Sequence, residues 1–542
     1  MSATPRRSNR ELAMRTLGEL AARGVRTLVI CPGARNSPWI EALLDVTAGF
    51  SFEVLHHFDE RAAGFAALGR SRATTLPIAV LTTSGTAAGE LLPAVMEAFY
   101  TGVPLYLLTA DRPRRFRGTG APQACEQVGI FGVYCVDGLD IDGEEDRAFT
   151  PELLPNSPSS GPVHWNVCFE DPRSEHPHPE HDSPAELSEA RHPLVIVGEL
   201  SREESRGVSA TLHQWGYPVI TEALSQLSED PALEELRIGA HRGLLVEAAE
   251  SGYQIDAVIR IGGVPTLRFW RDLESDPEAS KIPVWSISPL PFRGLPRARA
   301  LRMPLRDLYR LSSPAPRFAG TDSHRAWRAT NRARMQRLEG LLAENPASEP
   351  GVFRTLSREI PADALVYLGN SLPIREWDLA SARDSQFSTR TISASRGLNG
   401  IDGQLSTFFG MLGHGAAAAS PTSESWAILG DLTTLYDSTA PWLLRELERS
   451  ETKARNWHLA IINNSGGRIF ERLFGKPAYL NAHELTFGDW ARQWGLSHAR
   501  IEAAVLQEFL ARARSEGTLP QVLEIVPDPQ ATSKFWKSWE GA

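Results

Sequence analysis

Short runs of unbroken apolar residues, each stopped by glycine or a polar residue, recur along this chain and alternate with helix-like segments. The first set is 27–33 (TLVICPG), 78–83 (IAVLTT) and 104–109 (PLYLLT), with 61–68 (RAAGFAAL) as an intervening helix. The second is 194–198, 217–220, 257–262 and 284–287; the third is 364–369, 426–430, 458–462 and 522–526. An unbroken apolar strand needs cover on both faces, and strands separated by helices build parallel sheets. A chain of 542 residues also exceeds what one core supports. The expected fold is therefore α/β: three consecutive doubly wound parallel-sheet domains at 1–185, 186–340 and 341–542. The Pro-, His- and acid-rich stretch 171–190 has little to bury and reads as a linker. A polar stretch at 312–324 and a helical one at 325–345 lead into the third set.

Composition excludes several classes. A net charge of −10 gives no general attraction for nucleic acid or anionic lipid. No apolar run approaches the roughly 20 residues of a membrane span. Cys31, Cys125, Cys135 and Cys168 have neither metal-ligand spacing nor the density of a disulfide framework, which suits a reducing cytosol. The N-terminal stretch is basic but lacks an apolar core, so no signal peptide is expected. Arginine outnumbers lysine 51 to 5, and arginine is the better fork for carboxylates and phosphates. Genome composition produces the same bias, so only arginines in a motif count.

Two strand ends carry chemistry. In AILGDLTTLYD (427–437) an apolar strand ends at Gly430 and Asp431; in IINNSGGRIF (461–470) another ends at Asn463 and Asn464. Alone, Asn-Ser-Gly-Gly would serve as an ordinary turn. Between Asp431 and Asn464 lie 32 residues, holding an amphipathic helix (Trp442, Leu443, Leu444, Leu447) and a charged loop at 448–455. That is one strand–helix–strand crossover, so both loops leave the carboxyl side of neighbouring parallel strands, where open α/β sheets bind ligands. A carboxylate (Asp431), an amide oxygen (Asn464) and a backbone carbonyl (Gly466) make a hard ligand set for Mg²⁺ or Mn²⁺, completed by phosphate oxygens. Gly430 admits close backbone approach, and the amides of Leu432 and Thr433 face the anion.

This spacing resembles the thiamine diphosphate signature, Gly-Asp followed about thirty residues later by Asn-Asn, although GDL replaces the commoner GDG. Such enzymes need a carboxyl group at N1′ of the aminopyrimidine. HHFDERAAGFAALGRS (56–71) supplies Glu60 at a helix start after an extended run, the position the resemblance implies. By itself Glu60 would read as an acid favoured by the helix dipole, and His56 and His57 as packing or surface residues.

Eight stretches, CPGARNSP, HFDERAAG, TTSGTA, LLTADRP, GNSLPIR, SRGLNGIDG, GDLTTLYD and NNSGGRIF, occur in the order of a single family. They resemble the 2-succinyl-5-enolpyruvyl-6-hydroxy-3-cyclohexene-1-carboxylate synthases of menaquinone biosynthesis, from about residue 10 to about 530 and most weakly in the middle. The resemblance implies a homodimer, or dimer of dimers, with active sites between subunits. It implies decarboxylation of 2-oxoglutarate with thiamine diphosphate and conjugate addition of the four-carbon unit to isochorismate. It also implies Arg35, Arg112, Arg375 and Arg396 as substrate arginines, with Gln123 and Ser371 as polar partners. Ile401 becomes the apolar wedge under the cofactor, and Ile469, Phe470 and Leu473 a pocket wall, where core packing is the plain alternative. Ala34 and Pro122 depart from the family's usual Ser and Asn. Rival readings are another carboligase of the acetolactate-synthase kind and a non-catalytic regulatory relative. A nicotinamide dehydrogenase lacks its Gly-x-Gly-x-x-Gly after a strand.

Overall fold

The computed structural model describes residues 8–45, 47, 49–143, 161–170, 190–311, 318–387, 389–412, 423–449 and 456–541. Most of the expected linker at 171–190 and part of the polar stretch at 312–324 lie outside these residues. The chain forms two compact units. One holds residues 1–177 with Gly397–Gly400 and Gly466–His483; the other holds 178–396, 401–465 and 484–542.

The first unit is built on six strands: β1 (Thr27–Ile30), β2 (Glu53–His56), β3 (Ile78–Thr82), β4 (Leu105–Asp111), β5 (Asp137–Ile141) and β6 (Val163–Cys168). All pair in parallel, in the order β2-β1-β3-β4-β6-β5. β1, β3 and β4 are buried along their whole length, as unbroken apolar runs require. Helix Glu60–Thr74 turns Ala63, Gly64, Ala67 and Leu68 inward at helical spacing, and Asp59 caps it by accepting from the Ala62 amide at 2.8 Å. Gly64 sits against the next helix, Leu92–Thr101: a Cβ there would lie 2.9 Å from that of Ala94.

The second unit carries two sheets. One contains β7 (Pro193–Val197), β8 (Val219–Thr221), β9 (Ala257–Ile261), β10 (Val284–Ser288) and β11 (Arg299–Arg302), in the order β11-β10-β9-β7-β8. The other contains β12 (Leu365–Leu368), β13 (Thr391–Ser393), β14 (Ser425–Gly430), β15 (Trp457–Ile462), β16 (His498–Glu502) and β17 (Val522–Val526), in the order β13-β12-β14-β15-β17-β16. Both sheets are parallel throughout. The two share apolar packing, since Ala223 and Leu224 enter the cluster of Val352, Phe353 and Trp377. Gln226 ties the seam as a strand would: its Nε2 donates to the Ile392 carbonyl (2.7 Å) and its Oε1 accepts from the Ile392 amide (3.0 Å).

The expected strands agree with the observed ones to within about two residues at their ends, and the expected helix at 325–345 is Asp322–Glu344. Six strands were not anticipated. Five of them, β2, β5, β11, β13 and β16, are sheet edges, where one side needs no apolar cover. The sixth, β6, is internal, but its apolar run is broken by buried His164 and Asn166. No helix of the described residues is long and apolar enough to cross a membrane.

Candidate active site

Gly430, the last residue of β14, is paired with Ile462, the last of β15. Asp431 follows the first strand directly and Asn464 follows the second by two residues, so both emerge at one carboxyl edge of adjacent strands about 4.8 Å apart. Asp431 is only 2% exposed and opens helix Asp431–Tyr436; its Oδ1 accepts from the Leu432 amide at 2.6 Å. Thr433 is buried beside it, and Thr434 Oγ1 donates to the Gly430 carbonyl at 3.0 Å. Leu432 is half-buried.

The two consecutive amides have different duties. Asn463 is buried and donates to the Leu485 carbonyl (2.9 Å) and to Glu524 Oε1 (2.8 Å), a carboxylate with no exposure that also accepts from the Phe487 amide. It is a strut. Asn464 donates through Nδ2 to both oxygens of Glu349, at 3.2 Å each. An amide whose nitrogen faces a carboxylate turns its oxygen the other way, which is the orientation a cation ligand needs. A buried carboxylate and an oriented amide oxygen at one sheet edge fit a hard, oxygen-liganded cation bound with phosphate. Among the described residues no group of three His, Cys, Asp or Glu offers another metal site.

The ends of the paired strands β12 and β13 supply three expected substrate residues, Ser371 and Arg375 after β12 and Arg396 after β13. Ser371 has φ 69°, a left-handed backbone that costs a non-glycine residue roughly 1–3 kcal/mol and is typical of functional turns. It precedes helix Leu372–Ala380, and its carbonyl accepts from Arg375 Nη1. Arg396 donates through Nη1 to Asn370 Oδ1. Its Nε and Nη2, the side-on fork of the guanidinium, are inaccessible and have no hydrogen-bond partner. Three acids surround this arginine electrostatically. Glu222 is buried and accepts from the Thr266 amide (2.6 Å), the Thr266 hydroxyl (3.0 Å) and the Leu267 amide (3.1 Å). Asp378 accepts from the Ala223 amide at 2.6 Å, and burial together with the Glu222 charge pushes its carboxyl up to about 7. Burial likewise raises Glu199, while Arg396 opposes the rise. Burial lowers Arg396 itself to about 10, so it stays protonated at neutral pH. Ile401 is half-buried just before helix Gln404–Met411.

In the first unit, Arg35, Glu60, Arg112 and Gln123 all follow carboxyl ends of strands or the loop after β4. Arg35 is 8% exposed and donates to the Phe169 carbonyl at 3.0 Å. Glu60, 9% exposed, is the first residue of its helix. Arg112 donates through Nε to the Pro122 carbonyl (2.8 Å) and lies over the Phe116 ring, 4.9 Å from its centre. Gln123 has φ 57°, and the loop glycine facing it, Gly85 at φ +90°, would bring a Cβ to 3.3 Å from the Gln123 Cα. Gly466 has φ +131°, and a Cβ there would stand 2.5 Å from the Leu480 carbonyl oxygen. Phe470 joins the first unit's apolar cluster with Phe474 and Tyr479, while Ile469 is half-buried. The Leu473 side chain lies outside the described residues.

Residues 11–130 match the family model for the thiamine pyrophosphate enzyme, N-terminal TPP binding domain. Over most of the chain, several similar curated proteins share one name. The 2-succinyl-5-enolpyruvyl-6-hydroxy-3-cyclohexene-1-carboxylate synthase of Bdellovibrio bacteriovorus is 37% identical over 98% of this chain and 99% of its own. Those of Akkermansia muciniphila (35%, covering 96% of each chain) and Chloroflexus aurantiacus (33%, 87% and 88%) follow. The chain belongs to this synthase family.

Within this family member, the structure gathers Asp431 with Asn464, and Ser371 with Arg375, at strand ends of the third sheet; Arg35, Glu60, Arg112 and Gln123 belong to the first unit. Sequence reasoning missed Glu349, which orients Asn464, Asn370, which accepts from Arg396, and Glu222 and Asp378, whose charges favour that of Arg396. Asn370 stood within a quoted motif and could have been found there. Glu349 lies 115 residues from Asn464, and no local pattern reports so distant a partner.

Proposed function

We propose that this chain makes 2-succinyl-5-enolpyruvyl-6-hydroxy-3-cyclohexene-1-carboxylate from 2-oxoglutarate and isochorismate, with release of carbon dioxide. The observation that carries the reading is the pairing of Gly430 with Ile462, which brings Asp431 and Asn464 to one sheet edge. Asp431 and Asn464 hold the divalent cation. The Gly466 carbonyl is the third ligand that the family resemblance implies. When bound, thiamine diphosphate supplies the electron sink for decarboxylation and carbon–carbon bond formation.

The protein's part is to orient, neutralise and move protons. Glu60 exchanges a proton with the aminopyrimidine nitrogen, an assistance typically worth 10²–10⁴-fold. Both substrates are dicarboxylates, so several forks are needed. Arg396 is the fork for one carboxylate, with Ser371 and Arg375 following the neighbouring strand β12. Arg35, Arg112 and Gln123 take the remaining carboxylate and hydroxyl groups. Ile401 is the apolar wedge under the cofactor, and Ile469, Phe470 and Leu473 are the apolar wall of the pocket.

The working form is a homodimer or dimer of dimers, with Glu60 of one subunit serving the cation site of another. Exposed Phe65 (40%), Tyr100 (75%) and Val133 (75%) on and around the Glu60 helix support an association surface there. The 1–185 region binds the pyrimidine and 341–542 the diphosphate and cation, with 186–340 as a central domain. A cytosolic location fits the four free cysteines.

The test is isochorismate consumption followed spectrophotometrically with 2-oxoglutarate, thiamine diphosphate and Mg²⁺, omitting each in turn. Loss of the signal on every omission is expected. Turnover of pyruvate in place of 2-oxoglutarate would instead indicate a carboligase of the acetolactate-synthase kind.

A further inference from the structure

Within the second unit, away from the ends of β12, β14 and β15, lies a cavity of about 620 Å³. Six arginines line it: Arg237, Arg328, Arg332, Arg354, Arg358 and Arg383. Only three acids line it with them, Glu234, Glu339 and Asp384. Arg354 pairs with Glu339, and Arg328 pairs with Glu235. Arg237 and Arg383 donate only to backbone carbonyls, those of Leu227, Asp230 and Asp378. Arg332 and Arg358 are exposed at the rim and have no ion-pair partner among the described residues.

Burial disfavours the charge on Arg237, Arg354 and Arg328, and neighbouring cations add to it: Arg383 at Arg237 and Arg354, Arg358 at Arg354, and Arg332 at Arg328. Acids oppose them, with Glu229, Asp230 and Glu234 favouring the charge on Arg237, Glu339 that on Arg354 and Glu234 that on Arg328. The Nε atoms of Arg237 and Arg354 are buried without a hydrogen-bond partner. Acids are interleaved with these arginines, but six arginines against three lining acids leave an excess of positive charge around a concave space. One wall is apolar, formed by Phe387 and Met335. The volume falls in the range of small-molecule sites, far below what a nucleic acid or a membrane surface would occupy.

We propose that this cavity binds a small organic polyanion, with two or more carboxylate or phosphate groups on a compact apolar body. The arginine forks take the anionic groups, and Phe387 and Met335 take the body. Helix Leu372–Ala380 connects the two regions: Ser371 precedes it, Arg375 lies on it, and Ser381 at its end lines the cavity.

Calorimetry on the full chain loaded with thiamine diphosphate and Mg²⁺ tests this, using benzene-1,3,5-tricarboxylate and fructose 1,6-bisphosphate as probes. We expect saturable binding of at least one probe, and which one binds separates a carboxylate from a phosphate ligand. The R332A/R358A variant should weaken it at least about tenfold, while R332K/R358K, which keeps the charge, should stay within a few-fold. R396K should leave it unchanged, because Arg396 lies outside the cavity. Binding equal in wild type and R332A/R358A would overturn the proposal. So would loss of binding in R396K matching that in R332A/R358A, or no saturable binding of either probe below about 10 mM.

Discussion

Asn464 points its Nδ2 at both oxygens of Glu349, 3.2 Å from each. In the proposed cation site Glu349 would act through another residue, fixing which end of the Asn464 amide faces the metal. Outer partners of metal ligands typically contribute 10–100-fold in affinity. Glu349→Ala should weaken Mg²⁺-dependent cofactor binding by about that factor, measured by calorimetry, with the fold retained. Unchanged affinity would remove Glu349 from the site.

Asp431→Ala removes the only charged ligand proposed for the cation. Metal-dependent binding of thiamine diphosphate should fall below detection in the same calorimetric experiment. Circular dichroism should stay native, because the side chain lies at a strand end and not within an apolar cluster. Wild-type affinity in this variant would refute the clamp.

Arg396 calls for a conservative test. Arg396→Ala would remove the buried cation whose charge favours the ionised forms of Glu222, Asp378 and Glu199, and so should destabilise the fold. Arg396→Lys keeps the charge but loses the fork. It should melt close to wild type while kcat/KM for the substrates falls about ten- to a hundredfold, as expected for a lost charge-assisted pair of roughly 1.5–3 kcal/mol. Unaltered kinetics in the lysine variant would end the substrate role.

Glu60→Gln keeps shape and loses the titratable group. Exchange of the C2 proton of bound thiamine diphosphate, followed by NMR after acid quench, should slow by about 10²–10⁴-fold. If Glu60 served only the helix dipole, exchange would match wild type and stability would drop by at most about 1 kcal/mol.

Asp378 gives a pH signature. Its carboxyl titrates near 7 in the folded chain, above the ordinary value of 3.8, so the folded state holds the proton more tightly. That contribution to stability is complete at acid pH and is lost as pH rises between about 4 and 7. Asp378→Asn should accordingly melt higher relative to wild type at pH 8 than at pH 5. A melting difference independent of pH would contradict the shift.

The sequence by itself determined the three parallel sheets and the two strand ends that carry the Gly-Asp and Asn-Asn pairs. The reason is local: an unbroken apolar strand between helices has few ways to be buried, and a crossover of fixed length brings its two ends to one edge. Tertiary structure alone decided what those ends touch. It separated Asn463, a strut on Glu524, from Asn464, oriented by Glu349, though the two are neighbours in sequence and identical in type. It hid β6, because His164 and Asn166 look wrong for a core until Thr109 and Asp111 satisfy them. And it enclosed Arg396 among acids drawn from two sheets, since a buried charge takes its partners from whatever packs against it, however distant along the chain.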